Sequence, residues 1–265
     1  MATILDELAA STKARIEIQM KEVPLSQIKA EAESLPKHRD AQQPYPFEAA
    51  LKHDGVSIIS EVKKASPSKG MIAEDFPYLD IAKEYEASGA DAISCLTEPE
   101  RFKGSDEYLK EIVKVVDIPV LRKDFTVDPY MIYQAKVFGA SAVLLIAAIL
   151  SDAQLKEYFE IADGLGLSCL FEAHDAEEVK RCLAAGARIV GVNNRNLKDF
   201  TVDINNSIKL RALVPETVIF VSESGMSKAE DVITLKNNGT DAVLIGEMLM
   251  RSDDKTSLIR QMKMM

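Results

Sequence analysis

Seven polar residues sit at one kind of place in an otherwise apolar pattern. Glu61 and Lys63 close the segment Ile59-Ser60-Glu61-Val62-Lys63, and Lys123 closes Ile118 to Lys123 with Phe125 two residues on. Glu172 closes Leu167 to Glu172, Asn193 and Arg195 end an apolar run from Gly191, and Glu223 follows Thr217 to Ser222. In a β-strand, positions i and i+2 share a side, so Glu61 and Lys63 project together, as do Asn193 and Arg195. A charge at an interior strand position is costly. One such Lys or Glu alone reads as a solvated loop charge or a surface ion pair. Several, each ending a different strand, read as an assembled functional site. His174, two residues past Glu172, could be ligand, base or filler; a hydrogen-bonded structural histidine is the expectation.

Three loops add anion-binding chemistry. Glu223-Ser224-Gly225 and Gly246-Glu247-Met248 each follow a β-rich run, and such loops can hold a phosphate on backbone N–H groups where glycine permits close approach. The plainer alternative makes Ser224 a helix cap and Gly246 a turn. In Glu61-Val62-Lys63-Lys64-Ala65-Ser66-Pro67-Ser68-Lys69-Gly70, three lysines and two hydroxyls share an ordered loop able to clamp a carboxylate or phosphate. Lys64 and Lys69 are expected to be solvated.

The elements that must position these residues repeat. A helical stretch, then Gly, a small residue and an apolar run, recurs at Gly89, Gly139, Gly186 and Gly239, at separations of 50, 47 and 53 residues. A helix ending at a left-handed Gly and leading at once into a buried strand accounts for each unit. Fifty residues is about twice a helix-plus-strand unit. The four further runs, Val56 to Lys63, Ile118 to Lys123, Leu167 to Glu172 and Thr217 to Ser222, fall between them and make eight β segments. Helical patterns such as Pro77 to Ser88 and Ala176 to Ala185 separate them. Alternating strands and helices imply parallel pairing, and eight units in this length match an α/β fold of the (β/α)8 TIM-barrel type. A doubly wound open sheet is the alternative, and it would normally carry G-x-G-x-x-G or G-x-x-x-x-G-K-[ST] after its first strand; neither occurs. Residues 1–45 form an N-terminal helical extension of one or two helices, with Ile4, Leu5, Leu8, Ile16 and Met20 at helical spacing, ending in the Gln42-Gln43-Pro44-Tyr45-Pro46 loop. The expectation is one domain over 1–265 with its barrel core at 56–251. In that frame the polar residues end strands one, three, five, six and seven, at the face where such barrels do chemistry, and the loops after strands seven and eight are the usual phosphate site.

Composition narrows the partners. Forty-two acidic against 32 basic residues, a formal charge of -10, disfavour a nucleic-acid or anionic-membrane binder held by bulk charge. The longest apolar run, Val143 to Leu150, is far short of the roughly 20 residues a spanning helix needs. The N-terminus mixes charge with apolar residues and lacks a leader pattern, so a cytoplasmic protein is expected. Cys95, Cys169 and Cys182 form no C-x-x-C pair and read as reduced, buried thiols. His38, His53 and His174 are scattered, and no metal site is expected.

Taken together, EVKKASPSKG from Glu61, LTEPERFKGS from Leu96, LRKDFTVDPYMIYQAKVFGASAVLLI from Leu121, LFEAHD from Leu170, GVNNRNLKDFTVD from Gly191, SESGM from Ser222 and LIGEMLM from Leu244 closely resemble the indole-3-glycerol phosphate synthase family of tryptophan biosynthesis. The resemblance spans nearly all of residues 56 to 251; residues 1–45 match only in general character. It implies conversion of 1-(2-carboxyphenylamino)-1-deoxyribulose 5-phosphate to indole-3-glycerol phosphate, carbon dioxide and water, without a cofactor. It implies Lys123 as general acid, partly desolvated and lowered in pKa, and Glu172 as general base. Lys63 is implied as second acid or carboxylate anchor, with Glu61 and Asn193 orienting the lysines and the intermediate, and Arg195 and Glu223 supporting them. Phe102 and Phe125 match apolar walls for the anthranilate ring, although an aromatic after a strand is otherwise core filler. Ser66 is implied to touch substrate, with a hydroxyl bonding its own backbone as the other reading. Ser224, Gly225, Gly246 and Glu247 are implied to present phosphate-facing amides; some members place Ser at position 247, and Glu removes that hydroxyl. A phosphorylated small molecule, no nucleic acid, no membrane and a monomer are the expected partnerships. The competing readings are another phosphate-binding barrel enzyme, such as a phosphoribosylanthranilate isomerase or a tryptophan synthase α-type lyase, and a catalytically silent binding module on the same scaffold.

Overall fold

The structure, a computed structural model, describes residues 3–37, 45–196 and 200–264. His38, the Gln42-Gln43-Pro44 part of the loop and residues 197–199 of the GVNNRNLKDFTVD segment lie outside the described residues.

Eight parallel strands close into a barrel: β1 (Ser57–Val62), β2 (Ala92–Leu96), β3 (Val120–Lys123), β4 (Ala142–Ile146), β5 (Ser168–Ala173), β6 (Ile189–Asn193), β7 (Ile219–Glu223) and β8 (Ala242–Ile245). Each pairs with its neighbours in sequence, and β1 pairs with both β2 and β8, which closes the ring and leaves no edge. Their apolar runs are continuous because the barrel interior covers one side and helices the other. Every strand residue is buried except Lys123 and Asn193, the last residues of β3 and β6. The two barrel-strand residues that keep partial exposure are thus two of the singled-out polar positions.

The repeated glycines do what their spacing implies. Helices α4 (Tyr78–Ala87), α6 (Pro129–Val137), α8 (Ala176–Ala184) and α10 (Ala229–Asn237) each end at a Gly of positive φ, at Gly89, Gly139, Gly186 and Gly239. The next N–H reaches back five residues in each case, Ala90 to Tyr85, Ala140 to Ala135, Ala187 to Cys182 and Thr240 to Leu235. This double-bonded terminus turns the chain straight into the following strand. The alternate helices α5 (Asp106–Ile112), α7 (Asp152–Gly164) and α9 (Asn205–Leu210) complete the outer layer, and Ser105 and Ser151 cap the first two through their hydroxyls.

The extension holds α1 (Ile4–Glu22) and α2 (Leu25–Ser34), within the one or two helices expected over 1–45, and a short helix that the sequence did not signal, α3 (Pro46–Ala50), follows it before β1. Thr3 and Asp6 form a capping box at the start of α1. Leu5, Leu8 and Ile16 of α1 are buried with the barrel core. Two short helices end the fold, α11 (Glu247–Met250) and α12 (Lys255–Met264), the latter packing Ile259 and Met262 inward. Cys95, Cys169 and Cys182 are free and buried. Among the described residues no helix is long and apolar enough to cross a membrane.

Candidate active site

The polar strand ends converge. Lys123 Nζ lies 3.0 Å from Glu172 Oε2 and 3.2 Å from Glu223 Oε2, so one ammonium from β3 is held between carboxylates of β5 and β7. Asn193 Nδ2 donates to Glu172 Oε1 at 3.2 Å, and Asn193 Oδ1 accepts the backbone N–H of Arg195 at 3.0 Å. Lys63 and Glu61 form a second pair at 2.8 Å. Two cavities meet on these groups. One, of about 120 Å³, has an apolar wall of Phe102, Phe125, Leu144 and Ile146; the other, of about 630 Å³, runs to Ser224, Gly225, Gly246 and Glu247 after β7 and β8. Glu61, Lys63, Lys123 and Arg195 line both.

Electrostatics here correct one expectation. Lys123 is not lowered in pKa. Burial alone would lower it, but the fields of Glu172, Glu223 and Glu61 and the hydrogen bond to Glu172 hold it above the usual lysine value. The two flanking carboxyls then separate. Burial acts against the charge of Glu172, yet Lys123, His174 and the amide of Asn193 together pull it below the ordinary range. Glu223 lacks those extra partners, and its Oε1 has no hydrogen bond among the described residues. Burial and the nearby charge of Glu172 overcome the attraction of Lys123 and push Glu223 up to about 7. Two carboxyls around one ammonium therefore keep one firmly ionised and one ready to carry a proton near neutral pH.

Glycines make room for this cluster. A Cβ on Gly191 of β6 would stand 2.2 Å from Glu223 Oε1, and one on Gly246 would stand 2.6 Å from Glu61 Oε2 and 2.9 Å from Lys63 Nζ. Gly246 is thus small because the Glu61–Lys63 pair abuts it. Ser224 and Gly225 both have positive φ, 64° and 91°, forming a sharp turn beyond Glu223. Glu247, where a phosphate-facing amide is expected, brings its carboxylate among cations: 3.2 Å from Arg251, 3.8 Å from Lys69 and 3.9 Å from Arg195. Lys69 is half-exposed but lines this larger cavity, so it is more than a solvated loop charge. Ser66 is buried in a short antiparallel pairing with Gly70 and lines the smaller cavity. Phe102 and Phe125 stand 6.2 Å apart, centroid to centroid, as two sides of that cavity.

Several residues that the sequence did not single out shape the site. Ile4, Leu5 and Leu8 of α1 line the smaller cavity, so the extension is part of it. Arg15 of α1 grips both oxygens of Asp124 at 2.9 Å, and Asp124, adjoining Lys123, also accepts the Thr97 hydroxyl at 2.6 Å and the Phe125 N–H at 2.8 Å. Buried Glu98 accepts the N–H groups of Glu100, Arg101 and Phe102 at 2.7 to 2.8 Å and so fixes the loop that carries Phe102. Asn194, Ser207 and Ser222 form a buried hydrogen-bonded knot beneath the loops after β6 and β7. His174 is anchored as expected through Glu178, but its Nε2 lies 3.5 Å from Glu172 Oε1.

A closed eightfold barrel with paired lysines and glutamates at the C-terminal ends of its strands is a barrel enzyme. A solved thiamine phosphate pyrophosphorylase from Pyrococcus furiosus shares the fold, with a TM-score of 0.61 at 15% identity over 79% of this chain and 94% of that one. The family model described as indole-3-glycerol phosphate synthase matches residues 5–262. Proteins of that name from Ruminiclostridium cellulolyticum and Lacticaseibacillus paracasei are 61% and 52% identical, covering 95% and 98% of both chains. The chain belongs to the indole-3-glycerol phosphate synthase family.

Proposed function

We propose that the chain converts 1-(2-carboxyphenylamino)-1-deoxyribulose 5-phosphate to indole-3-glycerol phosphate, carbon dioxide and water, in tryptophan biosynthesis. One observation carries this reading beyond family membership. An apolar cavity and a larger polar one share a single floor of Glu61, Lys63 and Lys123, so a molecule with a ring at one end and a sugar phosphate at the other lays its reacting carbons across that floor. The ring packs against Phe102 and Phe125 with Ser66 beside it. The phosphate takes the amides of Ser224, Gly225, Gly246 and Glu247, and the two arginines and Lys69 that pair with Glu247 turn to it.

The chemistry follows from the charges. Attack of the ring carbon on the ketose carbonyl builds negative charge on oxygen, and the Lys123 ammonium faces that oxygen and gives it a proton as it becomes an alkoxide. A lysine held above its usual pKa donates only to so basic an atom, and its fixed positive charge serves the same transition state. Loss of carbon dioxide restores the aromatic ring. Glu172, kept ionised, takes the proton from the methylene carbon during dehydration, while Lys63 anchors the substrate carboxylate and assists departure of water. Glu61 and Asn193 orient Lys63 and Glu172 at 2.8 and 3.2 Å. Arg195 and Glu223 complete the charge balance.

A monomer is the active unit we propose, and the helices packed at both ends support reading 1–265 as one domain. The cytoplasm is the compartment we propose, supported by three buried free thiols. The test is incubation of the purified protein with the carboxyphenylamino ribulose phosphate while following indole absorbance and fluorescence. The chain has no Trp, so an indole signal is read without a tryptophan background. No indole signal overturns the proposal.

A further inference from the structure

The reaction proposed above does not balance its protons within the site. Bond formation at the carbonyl carbon places an electron pair on oxygen, which takes one proton. Departure of that oxygen as water takes a second. Closing the pyrrole double bond releases one from the methylene carbon, and the carboxylate leaves as carbon dioxide with its bonding pair returned to the ring. Two protons go in and one comes out, so each turnover draws one proton from solvent. Lys123 and Glu172, 3.0 Å apart, can exchange the recovered proton between them. The other must arrive from outside while substrate fills both cavities at the mouth.

A third cavity, of about 580 Å³, lies to the side of the mouth, and His174 lines it with Asp175, Glu178, Asn206 and Asp203. Glu172 does not line it. The His174 ring stands between the two. Its Nδ1 is 3.1 Å from Glu178 Oε2 on the cavity side, and its Nε2, which has no hydrogen-bond partner among the described residues, is 3.5 Å from Glu172 Oε1. A shift of about half an ångström brings that last gap to hydrogen-bond length. The backbone beneath the ring is held in place. Glu178 also accepts the backbone N–H of His174 at 2.7 Å, and Asn206 donates to its carbonyl at 3.0 Å.

We propose that His174 is a proton-relaying, positioning residue that passes one proton per turnover from this lateral cavity to Glu172, and through Glu172 to Lys123. The inference rests on the proposed function. Around His174 stand Glu172 of β5, Glu178 of α8 and Glu223 of β7, with Asp175, Asp203 and Asp6 of α1 on the cavity walls and Arg195 as the cation there. Burial acts against a charged ring, yet the Glu178 hydrogen bond and the fields of the three glutamates raise it above the usual histidine value. The upward shift favours the charged ring, and the acid-lined cavity favours cations. The charged ring gives its Nε2 proton to Glu172 and keeps its Nδ1 proton; it then turns about its side-chain bonds, takes the next proton on the emptied Nε2 from the lateral cavity that it lines and turns back, so no bond other than N–H and O–H is made or broken.

The test measures the single-turnover rate against pH for the parent, His174→Asn and Glu178→Gln. The parent rate is expected to fall as pH rises above about 6.5, the ordinary histidine value, by an amount set by the upward shift. His174→Asn should lose that alkaline limb, slow by about tenfold or more with substrate affinity within about twofold, and regain rate in proportion to added imidazole, which the vacated cavity admits. Glu178→Gln should move the limb to lower pH. A His174→Asn rate within twofold of the parent at every pH, a loss that imidazole leaves untouched, or an unmoved limb in Glu178→Gln overturns the relay while the parent's turnover leaves the proposed function standing. A parent that makes no indole product overturns both.

Discussion

At the scale of single residues the site is governed by one ammonium and two unequal carboxyls. Replacing Lys123 with Met removes both the donor and the charge that keeps Glu172 and Glu223 apart from shared protonation. The single-turnover rate should fall at least about 100-fold, the scale of lost general acid catalysis, while far-UV circular dichroism stays that of the parent. A near-parental rate removes Lys123 from the mechanism. Glu223 gives a second expectation with a definite sign. Its folded pKa stands above the unfolded value, so its contribution to stability is complete below about pH 4 and is lost as pH rises through about 7. Glu223→Gln cannot ionise and escapes that loss. Between pH 5 and pH 8 the stability difference should move in favour of the variant, on the order of 3 kcal/mol at most, measured by urea unfolding at the two pH values. Parallel curves for parent and variant across that range contradict a raised Glu223.

At the scale of elements, α1 is a wall of the active site tied to a catalytic strand. The tie is Arg15 on Asp124, whose side chain is fully buried next to Lys123, and the wall is Ile4, Leu5 and Leu8. Arg15→Ala should loosen α1 and raise KM about tenfold, the equivalent of ~1.4 kcal/mol, and should open residues 4–22 to limited proteolysis. An unchanged KM with an equally resistant α1 removes the tie from function. The contrast with the barrel shows what a sequence reveals. The strands were legible because every second one begins after the same helix-ending glycine and because Glu61, Lys123, Glu172 and Glu223 interrupt apolar runs at the ends of the others. Strand bounds shifted by one to two residues, Val120 replacing Ile118 at the start of β3. Arg15, Asp124 and Glu98 were not legible. A charged residue on a helix or after a strand has the same local pattern whether solvated or buried, and the partner that decides the matter is 109 residues away for Arg15 and within the same loop for Glu98. The lowered lysine pKa failed for a related reason: desolvation was visible in the apolar strand, but three carboxylates gathered from other strands were needed to set the sign.

At the scale of the whole molecule the two ends of the barrel divide their work. The C-terminal end holds mobile charge around two cavities. The opposite end is closed by ion pairs that touch neither cavity: Arg188 meets Glu48 of α3 at 2.9 Å and Asp163 at 2.8 Å, its guanidinium lies 4.3 Å from the Tyr45 ring centroid, and Tyr45 donates to Asp163. Glu48 is buried, and among the described residues the Ser168 hydroxyl at the start of β5 is its other side-chain donor. Ion pairing at this end serves the closure of the barrel by the segment 45–50 that packs there. Arg188→Ala leaves Glu48 buried with one weak neutral partner, so about 3 kcal/mol of stability should be lost, a fall in Tm of roughly 5–10 °C. Turnover at 25 °C should stay within about twofold, because Arg188 lies on neither cavity. Lys123→Met should show the reverse, a large loss of turnover with a much smaller change in Tm. Thermal melts and single-turnover rates on the same two preparations decide it: if Arg188→Ala slows chemistry as much as it lowers Tm, the two ends are coupled and the division does not hold.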